Sequence, residues 1–194
     1  VLVFSDKNKY EEYQEADNIK VMTYPYLPLG KGSLHVAPGL IPSLKKSLLA
    51  KLEFTPYLIS SLYYLIKTIK KYKIDIVHAQ WYFPAGIIAA LAKKITRKPL
   101  IVTGLGAEFY LSNNVIMRSL FKYVFNAADK NVVVSSFLKL KAAKYGIEKD
   151  VIAVIPNTVR TDVFYPQDKS KENNKIVIGL AKRLVPEKNI KDLL

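Results

Sequence analysis

The chain has 194 residues, half of them hydrophobic and about a quarter charged, which suits one ordinary domain plus a remnant and excludes global disorder. It holds no cysteine and no apolar run long enough to span a bilayer, which excludes a disulfide framework, thiol chemistry and a transmembrane helix, and fits a reducing cytoplasm. A formal net charge of +14 calls either for a polyanionic partner (nucleic acid, an anionic membrane, a phosphorylated substrate) or for a lysine-rich surface without one.

Val1 to Ser5 and Ile19 to Thr23 read as strands, and Tyr24 to Pro42 is rich in proline, glycine and aromatic residues. Ser43 to Phe54 reads as a short amphipathic helix, with Leu44, Leu48, Leu49 and Leu52 on one face and Lys45, Lys46 and Lys51 opposite. Packing on a sheet and lying on an anionic leaflet both remain open for it. Leu58, Leu62, Leu65, Ile66 and Ile69 then recur at helical spacing. Lys67, Lys70, Lys71 and Lys73 close that helix, as Lys93, Lys94, Arg97 and Lys98 close the next, and cations there complement the helix dipole. That structural role, and the lack of any helix-turn-helix, zinc-finger or RNP-like pattern, argues against nucleic acid.

Short apolar strands follow at Ile74–His78, Pro99–Thr103, Asn131–Ser135 and Val151–Ile155, separated by helices over Pro84–Lys94, around Ile116–Phe125, and over Ser136–Tyr145. Apolar strands alternating with helices predict an α/β, Rossmann-like, doubly wound parallel sheet over residues 1–156. Residues 157–175 read as a polar linker, and 176–194 as the start of a second, truncated α/β domain. Val1 is not an initiator methionine, and the chain stops inside what reads as that domain's first helix, so a fragment is expected.

Ligands of open parallel sheets bind beyond the C-terminal ends of the strands. The conspicuous polar and glycine residues fall there: His78, Gly104 to Glu108, Ser135 and Asn157, with Lys182 and Arg183 after the strand that follows the linker. His78 can donate and accept hydrogen bonds near neutral pH, and Trp81 offers a flat apolar face. Gly104 and Gly106 permit close backbone approach, and Glu108 is a carboxylate able to orient or deprotonate a hydroxyl. Arg183 and Lys188, five residues apart across a loop, could clamp a diphosphate.

Five segments, in this order, carry a family resemblance. Asp75-Ile-Val-His-Ala-Gln-Trp-Tyr-Phe-Pro-Ala-Gly86 resembles "DVVHAHW…PAG", and Leu100-Ile-Val-Thr-Gly-Leu-Gly-Ala-Glu-Phe-Tyr110 resembles "VVTLHGSDxY". Ile155 to Pro166 is similar to "IPNGVDxxxFxP", and Ile176 to Lys188 combines an apolar strand with a loop similar to "GRLxxxKG". These are the marks of retaining, nucleotide-sugar-dependent glycosyltransferases of the two-domain GT-B fold, family 4 ("group 1"). The chain departs from the pattern at Leu105, where the family has His, at Glu108 for Asp, Thr158 for Gly, Arg160 for Asp and Asn189 for Gly.

The resemblance implies transfer of a sugar from a nucleotide-sugar to an acceptor hydroxyl with retention. His78, Trp81, Gly104 and Gly106 would meet a carbohydrate or lipid-linked acceptor, Glu108 would be a catalytic carboxylate, and Ser135 and Asn157 would border the cleft. Arg183 and Lys188 would hold the donor phosphates. No cofactor and no metal are expected, the nucleotide-sugar being a co-substrate; two histidines and no cysteine agree with that. The fragment itself is expected to be inactive, and the whole enzyme to be cytoplasmic and peripheral on the inner membrane face. The alternative is a non-catalytic module that binds a membrane or polyanion, motivated by Leu105, Arg160 and the charge. An unrelated nucleotide-binding protein is disfavoured, since no GxGxxG or Walker loop is present.

Overall fold

The structure, a computed structural model, describes residues 2–6, 12–16, 18–27, 34, 40, 44, 47–106, 109, 114–144, 147–148, 151–165 and 179. The chain divides into two units, Val1–Asn157 and Thr158–Leu194.

Within the first unit the strands form two separate sheets. β1 (Leu2–Asp6), β2 (Glu12–Ala16) and β3 (Ile19–Tyr24) make the first, in the order β1-β3-β2, with β1 parallel and β2 antiparallel to β3. β4 (Val77–Gln80), β5 (Leu100–Gly104), β6 (Lys130–Val133) and β7 (Ile152–Val154) make the second, parallel throughout and ordered as in the sequence. The α/β class holds, with the parallel strands flanked by helices, but a single parallel sheet does not form.

The two helices expected over Ser43–Phe54 and beyond Tyr57 are one helix, α1 (Leu48–Lys71). Ser47 caps it by accepting a hydrogen bond from the Ala50 amide at 3.2 Å, and Lys70 and Lys71 close it. Pro56 lies inside it and withdraws one ladder bond without ending the helix. The expected four-leucine face is also revised. Leu44 packs half-buried on a cluster with Tyr57 and Ile88, whereas Leu48, Leu49 and Leu52 face solvent.

A π-helical turn at Tyr82–Gly86 leads into α2 (Ile87–Thr96), which ends at Arg97 in the left-handed conformation, φ 57°. α3 (Val115–Ala127) is capped by Asn114 and α4 (Ser136–Ala143) by Ser135.

The core of the parallel sheet is aromatic. Tyr82 is fully buried, stacks on Phe125 at 4.2 Å between ring centroids, and meets Phe109 edge-on at 5.9 Å. Its hydroxyl donates to Asn131 Oδ1, and Asn131 Nδ2 donates to the Phe125 carbonyl, so the buried polar atoms are paired. Asp129 ties α2 to β5: its carboxylate accepts from Lys93 Nζ at 2.6 Å and from the Leu100 amide at 2.7 Å.

The first sheet depends on α1. The Ser61 hydroxyl donates to the Tyr57 carbonyl at 2.6 Å, so Ser61 Oγ is left to accept from the Tyr24 hydroxyl, also at 2.6 Å. Tyr24 also stacks on Phe4 at 4.5 Å.

Candidate functional site

The parallel strands β4 to β7 all end on one edge, so the residues that follow them share that edge. β4 pairs with β5 so that His78 lies opposite Ile101 and Gln80 opposite Thr103. The two-residue period then puts the side chains of His78, Gln80 and Thr103 on one sheet face. They meet there. His78 Nε2 lies 2.8 Å from Thr103 Oγ1 and 3.3 Å from Gln80 Nε2. A side-chain amide nitrogen only donates, so as placed Nε2 is the acceptor and the ring proton sits on Nδ1. Thr103 is buried while His78 is exposed, so a fixed hydroxyl orients a ring whose Nδ1–H is turned to a ligand.

Trp81 follows immediately and adopts φ 78°, ψ 138°, a conformation that costs a non-glycine residue about 1–3 kcal/mol. Its amide donates to the Thr103 carbonyl at 2.8 Å and its carbonyl accepts from Gly86 at 3.0 Å, so both neighbouring elements hold the strain in place. The half-buried indole thus sits at the strand end beside His78.

Gly104 and Gly106 differ. A side chain at Gly104 would come within 2.7 Å of Tyr82 Cε2 and 3.0 Å of Phe109 Cε2, so this glycine is required by close packing of the aromatic cluster under the loop. Gly106 has φ 115°, which a side chain would strain, and it is the residue that turns the loop. Between them Leu105 is exposed.

The match to the sequence profile of glycosyltransferase family 4 runs over residues 1–163, most of the chain. The chain belongs to that family. It is 29% identical over 147 residues to an uncharacterized glycosyltransferase of Methanocaldococcus jannaschii, covering 75% of this chain and 40% of that protein. It also resembles the crystal structure of Anabaena HepE in complex with UDP-glucose, at 16% identity and a TM-score of 0.46, over 56% of this chain and 29% of that one. The family 4 chain thus spans well under half the length of these relatives.

Of the residues singled out in the sequence, the structure of this family 4 chain brings His78, Trp81 and Gly104 together around Thr103. Ser135 stands at the end of the neighbouring β6, where its hydroxyl accepts from the Leu138 amide at 3.3 Å and so caps α4. Asn157 is exposed at the end of the first unit, three residues beyond β7. Glu108, Arg183 and Lys188 lie outside the described residues. In the second unit Arg160, which replaces the family's acid, forks onto Asp162 through Nε and Nη2, so its charge is held within its own turn. Gln80 and Thr103 were not singled out, although both lie at the strand ends where the polar residues gather.

A cavity of about 750 Å³ opens beside this site and runs the length of β4. Val77 and Trp81 donate toward β5, so alternation turns the amides of His78 and Gln80 to the opposite edge of β4, which has no strand partner. Val3 and Phe4 of β1, itself an edge strand, line the other side.

Proposed function

We propose that the whole protein transfers a sugar from a nucleotide-sugar to an acceptor hydroxyl with retention of configuration, on a two-domain GT-B frame, and that this chain supplies its acceptor side. The observation that carries this reading is the His78–Thr103–Gln80 arrangement on the C-terminal edge of a parallel sheet in a family 4 chain. With Nε2 engaged, the Nδ1–H of His78 hydrogen-bonds an acceptor hydroxyl, and Trp81 supplies a flat wall for a sugar ring. Glu108, by the family motif, orients or deprotonates the same hydroxyl. Arg183 and Lys188 hold the donor diphosphate and offset the charge that grows on it as the sugar departs. The 194 residues alone lack turnover.

The test is transfer by the complete protein from a panel of nucleotide-sugars, with the anomeric configuration of the product read by NMR. His78→Ala is expected to lower kcat/KM by about 10²-fold or more. Thr103→Val is expected to act through the ring, with a smaller loss and an altered pH profile. Inversion at the anomeric carbon would refute retention.

Leu105, exposed where the family motif carries His, favours a second reading: a binding module that kept the fold without the chemistry. It predicts saturable, salt-sensitive polyanion binding by the complete protein and no affinity for any nucleotide-sugar.

A further inference from the structure

Helix α1 is apolar on two sides. Leu58, Leu62 and Leu65 pack on the core, and Ala50, Tyr57, Ser61, Thr68 and Ile69 are buried. On the other side Leu48, Leu49, Leu52, Ile59 and Tyr63 are each 59–73% exposed. Leu48, Leu52, Ile59 and Tyr63 follow at steps of four, seven and four residues, so they form one outward stripe, about 22 Å long at the helical rise. A stripe of this extent on a surface helix calls for a partner.

The charges around it identify that partner. Lys51, Lys67 and Lys70 are exposed on the same helix, and its one acidic residue, Glu53, is buried on the other side. The outward face of α1 is therefore apolar in the middle, cationic at its end and free of exposed acids, in a chain of net charge +14. α2 packs against α1 and adds exposed Ile95 beside exposed Lys94. An apolar strip bordered by lysine matches the boundary between acyl chains and anionic headgroups. Among the described residues no helix is long and apolar enough to cross a membrane.

From this we infer that the outer face of α1 is a docking surface for an anionic lipid leaflet. The helix lies in the interface plane, with Leu48, Leu52, Ile59 and Tyr63 below the headgroups and Lys67 and Lys70 paired with lipid phosphates. The inference goes beyond sugar transfer and does not depend on it, since docking is measured without donor or acceptor.

The test is flotation of the complete protein with vesicles of phosphatidylcholine alone and of phosphatidylcholine with phosphatidylglycerol. Binding is expected only to the anionic vesicles, weakening as salt is raised. The double variant Leu52→Glu/Ile59→Glu alters only exposed positions, so its circular dichroism should match the parent while its vesicle affinity falls about tenfold or more. Lys67→Gln/Lys70→Gln should lose the preference for phosphatidylglycerol and much of the salt dependence. Undiminished binding by the glutamate variant would overturn the inference. So would a complete protein that ignores anionic vesicles at low salt because a second copy or another segment covers α1.

Discussion

The four-stranded sheet is secured by its own side chains, whereas the three-stranded sheet borrows its support from a helix. In the first, Tyr82, Phe109, Phe121 and Phe125 interlock beneath the strand ends, and the one buried hydroxyl among them is paired with Asn131. In the second, Tyr24 on β3 reaches α1 through Ser61, and β1 has a strand partner on one side only. The difference shows where precision is needed. The candidate site stands on the aromatic platform, so its geometry inherits the rigidity of a close-packed core.

Four substitutions in the isolated chain, followed by chemical denaturation, sharpen or break that contrast. Tyr82→Ala should be the costliest, about 3–5 kcal/mol, because it empties the centre of the cluster. Gly104→Ala should cost about 1–3 kcal/mol, since the new methyl displaces the Tyr82 and Phe109 rings. Tyr24→Phe removes one hydrogen bond and leaves Ser61 its bond to Tyr57, a loss of about 1 kcal/mol. A cost for Tyr24→Phe above that of Tyr82→Ala would reverse the ranking of the two sheets.

Asp129→Asn is the smallest and depends on pH. The Lys93 ammonium, and then the Leu100 amide, hold the Asp129 carboxyl below the usual carboxylate range. A carboxyl lowered by folding takes up its proton first in the unfolded chain, so its contribution is whole above the ordinary carboxylate range. It is lost as pH falls through the folded value. The pair is half exposed, so about 0.5–1 kcal/mol is expected at neutral pH, vanishing in acid.

Much of the second sheet was legible because its strands are short apolar runs between helices with clear ends. β2 was missed because Glu12-Tyr-Gln-Glu-Ala16 offers no apolar alternation and is held only by pairing with β3. Pro56 read as the border between two helices, yet packing on both sides of it carries α1 through. His78 was visible as a polar residue ending a strand. Its partner Thr103 was not, because their contact depends on the register of β4 against β5, which is set across 25 residues of chain. The strain at Trp81 was equally hidden, since a tryptophan gives no sign of positive φ in sequence. Gly104 was visible but for the wrong partner: its missing side chain makes room for Tyr82.

The unpaired flanks of β1 and β4, turned toward the same void, also bear on how the chain behaves in a tube. Each offers a row of backbone donors and acceptors that a strand from another molecule can satisfy, so solutions of the isolated chain should thicken into oligomers as concentration rises. The thirty lysines and arginines work against that association by mutual repulsion, and salt that screens them should hasten it. The same surplus of charge thus acts as the chain's protection against its own open edges.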